Sequence, residues 1–296
     1  MTRSRDKKYA YCAAIFSAVL MGSLGLVVRS ISADASIIAF ARMGLGCVFL
    51  LGFLGLTRSL HALKVAMSPC LMASGLSIGF CVWFYIQAMA HTSLANAVFL
   101  LYLGPIFAVG FAYFVLRETI ALCNGLLMSL AFLGFLFVLR FGFSFSGEGA
   151  LGYVYGVLSA LSYALVIITN RKIPARVPPL GRAFYQLLIA ALSLIPFLAG
   201  HEFDVSLEDL PWLLAAGFFQ GFLGLTFMIF AIRHLTAYEF GILSYLEPVI
   251  ATLIGVMIYA EPMSPLQAVG GSLILLSGLA QIWASPANRS PATRSP

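Results

Sequence analysis

The sequence predicts an all-α polytopic membrane protein with ten transmembrane helices, arranged as two inverted repeats of five helices each. Three observations support this fold class. Hydrophobic residues make up 61% of the 296 residues and charged residues only 9%, whereas about 25% of the residues of a soluble domain are charged. Ten apolar runs are each long enough to cross a bilayer, and the two halves of the chain share sequence features in a common register.

The apolar runs are uniform over about 20 residues, which is the length that a transmembrane helix needs. Strands of a membrane barrel would instead alternate in polarity over about 10 residues. We therefore predict helical spans at residues 9–28, 36–56, 69–89, 93–115, 119–139, 150–170, 182–199, 211–232, 236–259 and 264–284. This division gives an amino-terminal segment 1–8, a first repeat 9–140, a second repeat 150–284 and a polar, proline-rich tail 285–296 that we expect to be disordered.

The basic residues predict the orientation of the chain. With the amino terminus in the cytoplasm, 14 of the 17 lysines and arginines fall on the cytoplasmic side, as the positive-inside rule requires. Both termini are then cytoplasmic. Because the basic residues flank apolar runs and form no stripe, the net charge of +6 points to the lipid bilayer and not to a nucleic acid as partner. The sequence is compatible with a monomer.

An internal repeat relates the two halves. A shift of 143 positions places Tyr-Leu-Gly-Pro at 102–105 on Tyr-Leu-Glu-Pro at 245–248, and His91 on His234. Five spans per half is an odd number, so the second half enters the membrane in the opposite sense. Inverted repeats of this kind place a substrate site near the bilayer midplane, between the halves. Alternating access uses this symmetry, whereas a receptor or an intramembrane enzyme does not need it.

These motifs, with Arg-Glu at 117–118 and Ala-Glu at 260–261, resemble the EamA-type members of the drug/metabolite transporter superfamily. The resemblance covers residues 10–284. It implies a ten-helix fold with a central cavity lined mainly by spans 1, 3, 4, 6, 8 and 9. It also implies export or exchange of amino acids and related metabolites, typically across a bacterial inner membrane.

Glu247 is the most prominent candidate for function, because a carboxylate near the middle of a predicted span is costly and indicates a functional site. It would bind a substrate ammonium group or a proton, or it would be a buried acid that joins span 9 to a neighbouring helix. Pro248 follows it and is expected to kink the helix. Pro105 takes the equivalent place in span 4, so we predict two symmetric kinks that act as hinges.

Further candidates follow from depth and residue type. Arg42 in span 2 would either extend to the lipid headgroups or pair with a charge in an outer vestibule. Asn96 and Glu239 are repeat partners at the starts of spans 4 and 9, where they would act as gates or as helix caps. The remaining candidates are aromatic or polar residues expected to line the cavity: Trp83, Tyr102, Tyr163, Phe219, Gln220, Ser244 and Tyr245.

No catalytic, metal-binding or cofactor-binding residues are predicted. Residues 75–79 spell GxSxG, but a nucleophile elbow requires a strand–turn–helix context, and here the motif lies inside an apolar span. The five cysteines show no CxxC spacing. The sequence therefore predicts a secondary transporter of small amphipathic metabolites, with a lipid-carrier flippase or an uptake transporter of the same fold as the alternative.

Overall fold

The computed structural model describes residues 2–28, 30–92, 94–117, 121–140, 150–198, 205–260 and 262–284. All secondary structure in these residues is helical. The α-helices are α1 Thr2–Gly22, α2 Leu24–Val28, α3 Ala35–Leu56, α4 Pro69–His91, α5 Leu94–Leu101, α6 Gly104–Val115, α7 Leu122–Val138, α8 Ala150–Lys172, α9 Pro179–Leu194, α10 Leu210–Ala215, α11 Leu225–His234, α12 Ala237–Ser244, α13 Leu246–Tyr259 and α14 Pro265–Ala284. Short 3₁₀ helices occupy Leu60–Leu63 and Ile195–Leu198, and a π-helical segment, Ala216–Gly224, joins α10 to α11.

Eight helical stretches of the described chain are long and apolar enough to cross a membrane. They are Ser36–Leu56, Pro69–Met89, Asn96–Val115, Ala150–Lys172, Pro179–Leu198, Leu210–His234, Ala237–Tyr259 and Pro265–Trp283. The molecule is therefore a polytopic membrane protein. The other two predicted spans are α1, whose first turns contain five charged residues, and α7, which is apolar but has 17 residues.

The predicted boundaries agree closely with the helices in most places, and two differences are informative. The predicted segment 1–8 is mostly helical, because α1 begins at Thr2, and the helix is interrupted at Ser23 before α2. The predicted span 211–232 contains nine residues of π-helix. The tail 285–296 lies outside the described residues.

Contacts between the two halves occur in reciprocal pairs. α4 packs on α8, and the repeat counterparts of these helices, α11 and α1, pack on each other. Likewise, α3 packs on the π-helical segment while α9 packs on α4. The pairs α7 with α14 and α3 with α9 join a helix of one half to its own counterpart, and α6 with α12 joins parts of the two corresponding spans 4 and 9. This reciprocity is what two similar halves related by a pseudo-twofold axis would show.

Glycines permit the closest of these crossings. A Cβ at Gly221 would overlap the carbonyl oxygen of Arg42, and a Cβ at Gly46 would lie 2.8 Å from the backbone of Gly221. At the counterpart crossing, a Cβ at Gly79 would overlap Ser193. Small residues at helix crossings let the backbones approach and gain dispersion energy, which is a main source of helix association in lipid.

Candidate functional site: a central cavity

A cavity of about 990 Å³ lies between the two halves. Its lining includes Arg140 and Tyr259, which are exposed at the end of the bundle where α7 and α13 finish. We call this the mouth end, and the end where α1 begins the amino-terminal end. Towards the amino-terminal end α1 packs against α12, and the side chains of Tyr11 and Ala14 on this face are buried. Among the described residues, the cavity therefore reaches the surface at the mouth end and is covered towards the amino-terminal end.

Glu247 lines the cavity at the point where a helix starts again. Both predicted kinks are present as helix breaks: α5 ends at Leu101 and α12 ends at Ser244, each four residues before a proline. A proline ring clashes with the carbonyl group four residues earlier, so Pro105 and Pro248 account for both breaks. The second break places Glu247 in the first turn of α13, where the positive end of the helix dipole stabilises a carboxylate.

Two tyrosines related by the repeat connect this carboxylate to the rest of the site. The hydroxyl group of Tyr102 donates a hydrogen bond of 2.9 Å to Oε2 of Glu247. The hydroxyl group of Tyr245 donates to the carbonyl oxygen of Tyr102, at 3.0 Å. Since Tyr102 lies in the break of span 4 and Tyr245 in the break of span 9, the two breaks are held together directly.

Arg42 lines the same cavity from α3 and lies within electrostatic reach of Glu247. Its Nε is buried and has no hydrogen-bond partner among the described residues. The close crossing of α3 with the π-helical segment at Gly221 fixes the backbone of Arg42. The chamber therefore presents the cation of Arg42 near the anion of Glu247, with Arg140 as a second cation at the mouth end.

The structure brings some of the predicted residues together and separates others. Five of them line the cavity: Arg42, Tyr102, Tyr163, Glu247 and Pro248. Three others lie next to it in the protein core: Pro105 is buried, Ser244 contacts the hydroxyl group of Tyr163, and Tyr245 has no exposed surface.

The expectation that Trp83, Phe219 and Gln220 line the cavity was wrong. The ring of Trp83 stacks on Phe197 at a centroid distance of 4.1 Å. Phe219 is 45% exposed on the outside of the bundle. Gln220 is buried and donates to the hydroxyl group of Ser23 at 3.0 Å. In uniformly apolar helices no sequence signal distinguishes the cavity face from the lipid face, so residue type alone misplaced these side chains.

Asn96 and Glu239 lie at opposite ends of the bundle and make corresponding contacts. Glu239 forms a capping box with Thr236, accepts a hydrogen bond of 2.6 Å from Tyr11 and pairs with Lys7 at 2.7 Å. Asn96 lies 3.5 Å from the hydroxyl group of Tyr153, the repeat counterpart of Tyr11. The two residues thus make corresponding contacts at the two ends of the bundle, and a role for them as gates stays a prediction.

Sequence reasoning missed several polar groups of the cavity. Cys81 and Tyr85 line it from α4, and Thr252 lines it from α13. Ile78, Cys81, Val82, Tyr85 and Met89 follow the spacing of one helix face. This spacing was present in the sequence, but it is also expected of a helix face that packs in the core.

Fold and cavity define a class: polytopic helical membrane proteins with two similar halves around a solute-sized chamber, which is the architecture of membrane transporters. Both halves, residues 8–140 and 150–280, match the EamA-like transporter family, and the chain belongs to this family. The resemblance noted in the sequence is thereby confirmed.

Individual relatives support the same class. Over 283 residues the chain is 26% identical to an uncharacterized transporter of Archaeoglobus fulgidus, covering 94% of this chain and 98% of that one. It is 29% identical to the pseudopaline exporter CntI of Pseudomonas aeruginosa, covering 90% and 93% of the two chains. It is 25% identical to an S-adenosylmethionine uptake transporter of Rickettsia prowazekii, covering 81% and 79%.

A crystal structure that is 21% identical in sequence has the same fold. Its TM-score is 0.81 over 92% of this chain and 96% of the other. At this identity the likeness concerns the fold alone.

Proposed function

We propose that this chain is a secondary transporter of a bacterial inner membrane that exports or exchanges amino acids or related small amphipathic metabolites by alternating access. The proposal includes ten transmembrane helices in two inverted repeats and both termini in the cytoplasm. The mouth end is then periplasmic, and the described conformation is open to the outside.

The observation that carries the proposal is the pair of opposite charges, Arg42 and Glu247, that line the same cavity. An amino acid carries a carboxylate and an ammonium group. The guanidinium of Arg42 suits the carboxylate because its fork of N–H donors matches the geometry of the two oxygens. Glu247 suits the ammonium group, since Tyr102 donates to only one of its two carboxylate oxygens.

The rest of the cavity wall suits an apolar or aromatic substituent. It includes Ile78, Val82, Leu225 and Met228, with the ring of Tyr163 beside them. A ligand site of this kind, largely apolar with a few convergent polar groups, is typical of small-molecule recognition. It is unsuited to a multiply phosphorylated solute, which would require several cations.

For the direction of transport, uptake is a specific alternative to export. One relative is named an exporter and another an uptake transporter, so both directions occur among similar proteins. Uptake through the same cavity is therefore the second candidate function.

The proposal is tested with purified protein in liposomes, by measuring movement of radiolabelled amino acids in both directions. We expect Glu247→Gln to reduce transport about tenfold or more, because a hydrogen bond to a charged group contributes roughly 1.5–3 kcal/mol. The melting temperature in detergent should change little. Arg176→Gln, which removes an exposed charge that is not part of the cavity lining, is the control and should transport normally.

Two results would contradict the proposal. One is that the wild-type protein neither moves nor binds any of these solutes. The other is that Glu247→Gln lowers transport and thermal stability in parallel, which would make Glu247 a structural acid between helices.

A further inference from the structure

Two arginines join α8 and α11 at the amino-terminal end in opposite directions. Arg171, in the last turn of α8, donates a hydrogen bond to the carbonyl oxygen of Leu235, which caps α11. Arg233, in the last turn of α11, donates to the carbonyl oxygens of Val177 at 3.0 Å and Ala175 at 2.5 Å, just after α8. We call these bonds of Arg171 and Arg233 the arginine latch.

The repeat identifies where a counterpart of the arginine latch would lie. α8 corresponds to α1 and α2, and α11 corresponds to the last part of α4, so the counterpart position is at the mouth end. There Leu26 of α2 and Met89 of α4 line the cavity. α8 packs on α11, whereas α4 does not form a comparable contact with α1 or α2 among the packed helix pairs of the described residues. The arginine latch thus joins the ends of α8 and α11, whereas the repeat counterparts of these ends, in α2 and α4, border the opening of the cavity at the mouth end.

The sequence is also asymmetric at these positions. Arg171 corresponds to Arg29, 142 positions earlier, but Arg233 corresponds to Ala90, 143 positions earlier. An alanine cannot donate the two hydrogen bonds that Arg233 donates. The full pair of arginines can therefore form only at the amino-terminal end.

The chemistry of the arginine latch suits a contact that forms and breaks. The Leu235 carbonyl group is at the negative end of α11, which attracts a cation. The acceptors of the three latch bonds named above are carbonyl groups, and a neutral acceptor binds less strongly than a carboxylate. Arg182, which caps α8 through the carbonyl oxygen of Asn170, is close enough to Arg233 to repel it. Asp6 attracts Arg233 in turn, so Arg233 is held by carbonyl bonds between one attractive and one repulsive charge.

We infer that the arginine latch holds the amino-terminal end of the cavity closed, and that its absence at the mouth end makes the outward-open conformation the resting state. The inference rests on the proposed alternating access. Transport would require the arginine latch to break each time the cavity opens towards the amino-terminal end.

Cys81 provides a reporter for this inference, because it lines the cavity and its labelling requires no substrate. The other four cysteines are replaced by serine or alanine, and reaction with a charged, membrane-impermeant methanethiosulfonate is measured in right-side-out and inside-out vesicles. We expect Arg171→Gln with Arg233→Gln to raise labelling from the amino-terminal side about tenfold, as a shift of a two-state population predicts. Labelling from the mouth side should fall.

Two single substitutions strengthen the test. Arg176→Gln removes a charge from the same loop without removing a latch bond, and it should label like the parent. Ala90→Arg supplies the missing arginine at the mouth end, and it should slow labelling from that side. Because this variant leaves the arginine latch intact, it tests the inference even where the double variant folds poorly.

Folded latch variants that label from both sides at the rate of the Arg176→Gln control would overturn the inference. So would an Ala90→Arg protein that labels like the parent. Failure of the transport proposal gives a different result. No solute would then move in the liposome assay, while the labelling rates of Cys81 would still respond to the latch substitutions.

Discussion

At the scale of single residues, the two central tyrosines show how a duplicated sequence acquires different roles. Tyr102 and Tyr245 are repeat partners and lie in equivalent helix breaks. Tyr102 lines the cavity and bonds to the carboxylate of Glu247, whereas Tyr245 is fully buried and bonds to backbone. The same phenol group thus contacts the site in one half and supports it in the other.

This difference gives a paired prediction. Tyr102→Phe removes a donor to Glu247 and is expected to change the apparent affinity for solute severalfold, because the carboxylate loses a partner beside the bound ammonium group. Tyr245→Phe leaves a buried carbonyl oxygen without its donor and should lower the free energy of unfolding by about 1–3 kcal/mol, with solute affinity unchanged. Solute binding and thermal unfolding in detergent measure the two effects. A Tyr245→Phe protein of normal stability and weakened binding would reverse the assignment.

At the scale of helices, close packing around Arg42 should be more sensitive than the apolar surface. Gly221→Ala would place a methyl group on the carbonyl group of Arg42, where the backbone cannot yield easily. Overpacking of this kind costs about 1–3 kcal/mol, and the displaced α3 would also weaken solute binding. Gly52→Ala, in the same helix α3 and with no atom within 4 Å of its new Cβ, is the matched control.

The control should be neutral or slightly stabilising, since glycine inside a helix costs about 0.5–1 kcal/mol relative to alanine. Melting temperatures of Gly221→Ala and Gly52→Ala in detergent show whether the close crossing at Gly221 is the sensitive position. Equal melting temperatures would mean that the α3 crossing tolerates separation and does not position Arg42.

Helix positions were predictable from the sequence because a run of about 20 apolar residues has no other stable arrangement in lipid. The breaks before Pro105 and Pro248 were predictable for a similarly local reason. The π-helical segment was not predictable, because a uniformly apolar run does not indicate which backbone groups pair along the helix. Arg42 and Glu247 could be identified as candidates because they are charged residues inside such runs. The direction in which the side chains of Trp83 and Phe219 point depends on tertiary packing, which residue type does not determine.

At the scale of the whole molecule, the proposed inverted repeat would place corresponding loops on opposite sides of the membrane. The loop that contains the 3₁₀ helix Leu60–Leu63 corresponds to the loop before α10, about 143 positions later. The first loop carries the basic residues Arg58 and Lys64, and the second carries the acidic Glu208 and Asp209. This charge difference is in the sense that the positive-inside rule predicts.

Single cysteines at His61 and Leu207, both exposed, test the inverted arrangement in an otherwise cysteine-free chain. In intact spheroplasts an impermeant maleimide should label Leu207→Cys, and it should label His61→Cys only after permeabilisation. Parallel repeats would place both cysteines on one side and give identical labelling patterns. Such a result would also remove the basis for alternating access, because the closed end and the open end of the cavity would no longer be related by the repeat.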